Sequence, residues 1–228
     1  MKTAIKILLL VAIIFLAYLC VNSIITPIRF ESQRKMRELP VIQRLVDLRK
    51  AEIEYREQKG AYTDNFDTLI QFLKTGKKAE VLKEGALTDA QLEAGLTEAK
   101  AVAIIKKGNA KEIATNGLEG FRRDTAYVDL IAAIYPHGEY THDNINRIMY
   151  IPFSNEQKFE LQVKNDYVNP SGIPIPLFQA TAHFSTFLSD LDRQEIINLV
   201  DRERQLDKYP GLKVGDIDIP NNNAGNWE

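Results

Sequence analysis

The segment that decides the fold is ILLLVAIIFLAYLCVNSII at residues 7–25. None of its 19 side chains is charged, and a helix of that length rises about 29 Å, close to the hydrocarbon thickness of a bilayer. A helix buried in a soluble domain normally keeps a polar face, and this segment has none. The sequence therefore predicts a transmembrane anchor within residues 1–26.

Two processed forms compete with a retained anchor. A cleaved signal peptide needs small residues just before the cut, which residues 21–23 barely provide, and the apolar run continues beyond them. A lipoprotein signal would place a small residue before the cysteine, whereas Leu19 precedes Cys20. We therefore predict an uncleaved, single-pass anchor.

The sequence that flanks the anchor favours opposite membrane orientations by two criteria. Only Lys2 and Lys6 precede it, so the larger basic group after it favours a cytoplasmic C-terminal side. Signal-anchor proteins with a short basic N-terminus, however, usually export the C-terminal domain. The cations after the anchor are Arg29, Arg34, Lys35 and Arg37.

Net charge argues against nucleic acid as a partner, and the distribution of charge separates a basic part of the chain from an acidic part. The 228 residues carry 29 basic and 31 acidic side chains, which lacks the basic excess expected of a nucleic-acid-binding protein. Residues 27–60 hold nine basic and six acidic groups, and residues 61–228 hold 18 and 25. The basic part suits anionic lipid headgroups, or is an ordinary solvated helix surface. A single cysteine excludes an intrachain disulfide.

Residues 27–60 predict a long amphipathic helix, the stalk, that ends at Gly60 and is kinked or broken at Pro40. Beyond Pro40 its apolar residues form two stripes, so the helix needs more than one packing partner. Either both stripes are buried within the domain, or the second contacts a neighbouring subunit. The first stripe is Val41, Leu45, Leu48, Ala51 and Tyr55, and the second, the predicted interaction surface, is Ile42, Val46 and Ile53.

Residues 61–228 predict an α+β domain with a helical insertion. A short helix is expected at about 65–74, and an insertion at about 77–120 holds helices that begin after Thr88 and Thr97, the second ending at Gly108. A last helix begins at Asp190 or Asp192 and runs to about residue 206.

Four later segments have β-compatible sequences. Two of them are joined by a hairpin-type connection at residues 154–157, and short loops between consecutive strands favour an antiparallel sheet. Residues 213–228 are predicted to form a loop, with Trp227 packed back on the sheet. The predicted strands are residues 124–131, 147–153, 158–164 and 176–184.

Catalytic motifs are absent from the sequence, so we predict no enzyme. His137 and His142 could share a metal with Glu139 or Asp143, but their spacing lacks a third placed ligand, so a surface loop is the preferred interpretation. A packing role is expected for His183. Cys20 lies within the anchor, where a reactive thiolate is disfavoured.

The C-terminal segment holds the best candidate ligands. Asp216, Asp218 and Asn221 supply hard oxygen atoms at a density that suits Ca²⁺. The spacing is not that of an EF-hand, and a plain Asn/Gly turn is the alternative.

These features together resemble the type IV pilin-like proteins, and in particular the major pseudopilins of type II secretion. The resemblance covers the membrane helix, the long helix that ends in Ala51-x-x-x-Tyr55-x-x-x-Lys59-Gly60-x-Tyr62, the short helix and the late sheet. It also covers a Gly/Asp loop that ends near Gly225-Asn226-Trp227. The resemblance implies a helix packed on an antiparallel sheet, a calcium-binding C-terminal loop and a periplasmic domain.

Two features of that family are missing. No glycine precedes the apolar run as a peptidase site, and no acidic residue lies within the run. We therefore predict a permanently anchored, pilin-like structural component of the inner membrane, with its C-terminal domain in the periplasm and no enzymatic role. Its partners would be the membrane, further copies of itself, or other envelope and secretion proteins. The alternative is an envelope ligand-binding module that uses the sheet and the C-terminal loop.

Overall fold

The structure is a computed structural model that describes residues 2–228, except the side chains of residues 2–4, 81, 83, 124 and 125. Met1, the first residue of the predicted anchor, lies outside the described residues. The chain forms two compact units. The helix–sheet unit comprises Met1–Phe72 and Asp143–Glu228, and the inserted unit comprises Leu73–His142.

The described residues form eight α-helices, one 3₁₀ helix and five β-strands. The helices are α1 (Lys2–Lys59), α2 (Phe66–Thr75), α3 (Asp89–Glu93), α4 (Glu98–Lys107), α5 (Ala110–Thr115), α6 (Leu130–Ile134), α7 (Phe184–Phe187) and α8 (Arg193–Gln205), with a 3₁₀ helix at Ile145–Met149. The strands are β1 (Lys77–Glu84), β2 (Arg122–Asp129), β3 (Glu160–Lys164), β4 (Leu177–His183) and β5 (Gly211–Gly215).

Helix α1 is continuous across both of its prolines, Pro27 and Pro40. Of the two predictions for Pro40, a kink or a break, the break is therefore wrong. A proline inside a helix removes one hydrogen bond and crowds the preceding turn, at a cost of about 3 kcal/mol. Burial on both sides of Pro40 offsets that cost: Phe30 and Val41 are both buried. The end of α1 agrees with the prediction, because Gly60 adopts φ +80° and its N–H donates to the Arg56 carbonyl at 2.7 Å.

The three-stranded antiparallel sheet has the order β3–β4–β5 and packs against α1, which contacts β4 and β5. Pairing places Ala180 opposite Val214 and Ala182 opposite Leu212, and paired residues share one face of a sheet. All four side chains are buried. Two alanines on the central strand leave room for a bulky helix face, which explains the close fit of α1.

That helix face is the first of the two predicted stripes. Its residues from Val41 to Ala51 have no exposed surface, and Tyr55, at the end of the stripe, packs edge-on against Phe72 at 4.9 Å between ring centroids. Tyr62, just after the helix, packs on Phe178 of β4 at 4.8 Å. The end of α1 is therefore fixed to the sheet by aromatic contacts as well as aliphatic ones.

A buried carboxyl lies on the same helix. Glu52 has no exposed surface; its Oε2 accepts a hydrogen bond from the Thr63 N–H at 3.2 Å, and its Oε1 has no partner. Burial, with a smaller contribution from the negative charge of Asp64, raises the pKa of Glu52 to about 8. The group is therefore held in its protonated form in the folded state at neutral pH.

The segment 147–153 is not a strand, contrary to the prediction. The 3₁₀ helix covers residues 147–149 of it, and in the remainder only Tyr150 forms a bridge, with Lys158. Ile148 and Met149 are adjacent and both buried, which a helical turn permits and a half-buried strand does not. The hairpin-type connection at residues 154–157 is confirmed by the hydrogen bond from Ile151 N–H to the Gln157 carbonyl, 2.8 Å.

The end of the chain is more ordered than the predicted loop. Its first residues belong to strand β5, and Gly225 forms a further bridge with Val214. The Trp227 ring lies against Gly225 so closely that a Cβ at that position would clash with it. Trp227 therefore packs back on the edge of the sheet through this glycine. Helix α8 starts after Asp192, one of the two predicted starts, whose carboxylate accepts from the Gln194 and Glu195 N–H groups.

The inserted unit combines short helices with a two-stranded ribbon. Strands β1 and β2 pair antiparallel from Lys77 opposite Asp129 to Glu84 opposite Arg122. The capped helices after Thr88 and Thr97 are confirmed, as is the end at Gly108. Strand β1 and helix α5 were not predicted, and β2 stops at Asp129 because that carboxylate caps α6. A small core of the unit consists of Ala101, Leu118 and Phe121.

The buried Glu52 makes stability depend on pH. Between pH 4.5 and about 8 the folded state binds a proton that the unfolded state has released, so this group's contribution to stability falls as the pH rises. We expect Glu52→Gln, which is neutral at every pH, to gain stability relative to the wild type across that window, by at most about 1.4 kcal/mol per pH unit. Denaturant unfolding of the detergent-solubilised protein at several pH values measures the difference.

The control for this experiment is Glu57→Gln. Glu57 lies on an exposed part of the same helix, so its substitution removes one carboxylate without removing a buried one. The free energy of unfolding of the wild type should differ from that of Glu52→Gln by an amount that changes with pH. A difference that stays constant from pH 4.5 to about 8 would contradict the protonation of Glu52.

Candidate functional site

The first part of α1 exposes its apolar side chains. Every described side chain from Ile5 to Ile24 is exposed, and the helix is long and apolar enough to cross a membrane. Leaving a large aliphatic side chain in water costs about 1.5–3 kcal/mol relative to burying it. The described part of the chain leaves these side chains uncovered, so an apolar environment from outside it would stabilise the segment.

The predicted interaction residues Ile42, Val46 and Ile53 are half-buried. At about 100° per residue they lie on the same side of α1 as Ile28 and Leu39, which are 63% and 68% exposed. We call these five residues the stalk stripe. The stripe lies on the side of the helix opposite the buried face and continues the apolar surface of the anchor beyond Pro27.

The predicted calcium ligands lie in a loop that already has internal partners. The Asp216 carboxylate accepts from the Lys213 ammonium at 2.7 Å and from the N–H groups of Asp218 and Ile219 at 2.8 and 3.1 Å. The ion pair and these N–H groups hold the pKa of Asp216 below its usual value, against the effect of burial. Asn221 donates to the Ala224 carbonyl at 3.2 Å. The three residues are brought close in sequence and structure, but Lys213 occupies the position where a cation would neutralise Asp216.

Two of the three histidines, His142 and His183, form side-chain hydrogen bonds. His142 Nε2 lies 2.8 Å from Asp129 Oδ2 in the inserted unit. His183 is the N-cap of α7, where its Nδ1 accepts from the Ser185 N–H at 3.2 Å; burial and the nearby Arg204 lower its pKa, which favours the neutral form that can accept. Within the described residues, no group of three or more His, Cys, Asp or Glu side chains is arranged to hold a metal ion.

One cavity of the helix–sheet unit was not predicted from the sequence. This arginine groove, of about 630 Å³, lies between α1, the 3₁₀ segment and the residues before α8. Its lining residues are Arg37, Arg44, Arg147, Tyr150, Ile151, Pro152, Phe153, Ser154, Asn155, Glu156, Ser189 and Asp190.

Two of the three arginines are fixed by the fold. Arg37 binds both carboxylate oxygens of Asp190, one of them at 2.7 Å, and donates to the Phe187 carbonyl at 3.1 Å. Arg44 donates to the carbonyl oxygens of Arg147 and Tyr150. Arg147 itself is exposed. The groove thus has two positioned guanidinium groups on one wall and a third that faces solvent.

The other wall of the arginine groove is a strained turn. Phe153, Asn155 and Glu156 adopt φ of +63°, +49° and +63°, a region that a bulky L-residue such as phenylalanine rarely occupies. Phe153 is 53% exposed, and the Arg37 guanidinium lies 5.3 Å from its ring centroid. Strained residues held by their surroundings are frequent at binding sites.

Sequence reasoning missed this groove because its residues come from three distant segments. Arg37 and Arg44 are seven positions apart on α1, so they share a face of the helix, and that spacing is the only local signal. Nothing near Phe153 indicates that its turn lies beside those arginines.

Comparison of the chain with protein-family models, with curated proteins and with solved structures found no match.

The ion pair of the C-terminal loop yields a test of the calcium prediction. In EDTA, Asp216→Ala should lower the free energy of unfolding by about 1–2 kcal/mol, because it removes an ion pair and two backbone hydrogen bonds. Asp218→Ala, whose side chain is exposed, should change it little and serves as the control.

The calcium prediction adds a second requirement to the same experiment. A ligand of the folded state raises its stability, so millimolar Ca²⁺ must raise the thermal midpoint of the wild type, and less so that of Asp218→Ala. If millimolar Ca²⁺ left the thermal midpoint of the wild type unchanged, a structural calcium site would be excluded.

Proposed function

We propose that this protein is a single-pass inner-membrane protein that serves as a structural, non-enzymatic assembly component of the cell envelope, with its α+β domain in the periplasm. The observation that carries the proposal is the single helix α1, whose apolar first part is exposed and whose second part is the buried centre of a domain. An anchor and a fold core on one continuous helix hold the domain at the membrane surface.

The layout of the helix–sheet unit supports a pilin-like role. The residues that carry the resemblance lie where the helix joins the sheet: Tyr62 packs on Phe178, and its hydroxyl interacts with Arg56 and with Asn223 of the C-terminal segment at 2.9 and 3.0 Å. These contacts link the end of α1, the central strand and the C-terminal loop. Association with secretion or other envelope proteins would follow from the same likeness.

The stalk stripe supports self-association. Leu39 and Ile28 expose most of their apolar surface on the side of α1 that faces away from the sheet, and burying such side chains against a second helix is favourable. We propose that neighbouring copies meet along this stripe, above their membrane segments. The exposed Met36, 70% accessible, would lie at its margin.

The membrane proposal predicts a defined protease pattern. In intact spheroplasts, added protease should cleave exposed loops of the α+β domain, because we place that domain outside the inner membrane. Alkaline carbonate washing should leave the uncleaved protein in the membrane pellet, since an apolar helix of this length is retained by the bilayer. Both are read by immunoblot against the C-terminal region.

Inverted inner-membrane vesicles provide the opposite control. There the domain should be protected until detergent is added. Digestion in inverted vesicles with protection in spheroplasts would place the domain in the cytoplasm, and release by carbonate would exclude the anchor.

Self-association predicts a position-dependent cross-link. In a variant with Cys20→Ser, a cysteine introduced as Leu39→Cys should form disulfide-linked dimers in oxidised membranes, because position 39 is exposed on the stalk stripe. Replacing Ile42 and Val46 with alanine in that background should reduce the dimer fraction. Non-reducing gel electrophoresis measures it.

The matched control for the cross-link is Ser171→Cys, an equally exposed site on a loop of the α+β domain. Dimers that form equally at both positions would indicate random collision. A protein that stays monomeric in both variants would exclude assembly along α1.

A further inference from the structure

We propose that the arginine groove binds an acidic segment of a partner protein, with carboxylates on its guanidinium wall and an apolar side chain against Phe153. The proposal goes beyond membrane anchoring and assembly, since it assigns a ligand class to a site that neither of those roles uses. All lining residues belong to the helix–sheet unit.

The charges of the groove favour an anionic ligand. Of its two lining carboxylates, Asp190 is bound by Arg37, and Glu156 is exposed to solvent. Arg147 forms no ion pair with another described side chain, and it lines the same cavity as Arg44. Arg44 is oriented by the two carbonyl oxygens to which it donates, and an oriented guanidinium loses little conformational freedom on binding a carboxylate.

The apolar side of the groove favours a ligand that carries an apolar group as well as negative charge. Phe153 keeps more than half of its surface exposed while its backbone is held at φ +63°. A glycine would occupy that conformation without strain, so the fold retains a bulky aromatic where it is costly. Phe153, with Ile151 and Pro152 beside it, offers a surface for an apolar side chain next to the carboxylates.

Distance from the bilayer excludes lipid headgroups as the favoured ligand. Arg37 and Arg44 follow Ile25, the end of the apolar run, by 12 and 19 residues, or about 18 and 28 Å along a helix. The headgroup layer extends only about 5–8 Å beyond the hydrocarbon core. These distances from the bilayer rest on the proposed position of α1 in the membrane.

The size of the groove favours a peptide over a small ion. Its volume of about 630 Å³ lies in the range of sites that hold several side chains or a drug-sized ligand. An inorganic anion would contact the guanidinium wall and leave the Phe153 wall uncovered.

The test uses the full-length protein in nanodiscs of phosphatidylcholine and a fluorescein-labelled pentapeptide, Glu-Asp-Phe-Glu-Asp, with binding measured by fluorescence anisotropy. We expect saturable binding that Arg147→Ala weakens by about tenfold, because a charged hydrogen-bonded contact is lost. Arg193→Ala, which removes one exposed arginine of α8 outside the groove, should leave the affinity within about twofold. The peptide Gln-Asn-Phe-Gln-Asn should not bind.

A second variant separates binding from folding. Phe153→Gly relieves the positive φ and should leave the thermal midpoint unchanged or higher. It should nevertheless weaken binding of the phenylalanine-containing peptide severalfold, and affect Glu-Asp-Ala-Glu-Asp little. If Phe153→Gly lost binding and also had a lower thermal midpoint, the substitution would have disrupted the groove. The affinity of Arg147→Ala, a substitution at an exposed site, would then test the proposal.

Three outcomes would overturn the proposal. Equal loss of affinity in the Arg147 and Arg193 variants would show non-specific attraction by net charge. Displacement of the peptide by inorganic phosphate at equal molar concentration would show an anion site without peptide recognition. Stronger Arg147-dependent association with phosphatidylglycerol vesicles than with the peptide would assign the groove to lipid. Failure of any of these tests leaves the cross-linking and protease experiments, and thus the proposed function, unaffected.

Discussion

The packing of α1 on strands β4 and β5 is the contact on which the helix–sheet unit depends. The buried face of the helix needs a flat, close surface, and the alternating alanines of β4 supply it. Without that contact the apolar residues after Pro40 would be exposed, since α1 contains two prolines and could not be stable in water as an isolated helix. The same contact positions Arg37 and Arg44, which lie on the helix, beside the turn that carries Phe153.

Polar groups occupy this core only where the local geometry supports them. Glu52 accepts a hydrogen bond from the backbone of Thr63 just after the helix, and the protonated carboxyl avoids the cost of a buried charge. Arg56, Tyr62 and Asn223 form a short chain of hydrogen bonds at the margin of the core. Glu52 and Arg56 each join α1 to the segment that directly follows it, and Tyr62 extends this link to Asn223 of the C-terminal segment.

Features with local causes were predictable from the sequence. The end of α1 at Gly60 and the helices that start after Thr88, Thr97 and Asp192 depend on neighbouring residues, and these predictions are confirmed. Strand β1 was not predictable, because KKAEVLKE has no strong strand pattern and forms a strand by pairing with β2, about forty residues later. The arginine groove was missed for the same reason. Its walls are distant in sequence, and only the packing of α1 on the sheet brings them together.

The unbroken path of α1 has a mechanical consequence. From the end of the apolar run at Ile25 to Lys59 the helix extends about 50 Å, and the sheet is attached along the latter part of it. With its first part in a bilayer, as proposed, such a helix would act as a lever. Transmembrane helices tilt by about 20° on average, with a wide range set by bilayer thickness, and a change of 10° at the anchor would displace the far end by roughly 9 Å. The position of the domain above the membrane would then respond to bilayer thickness.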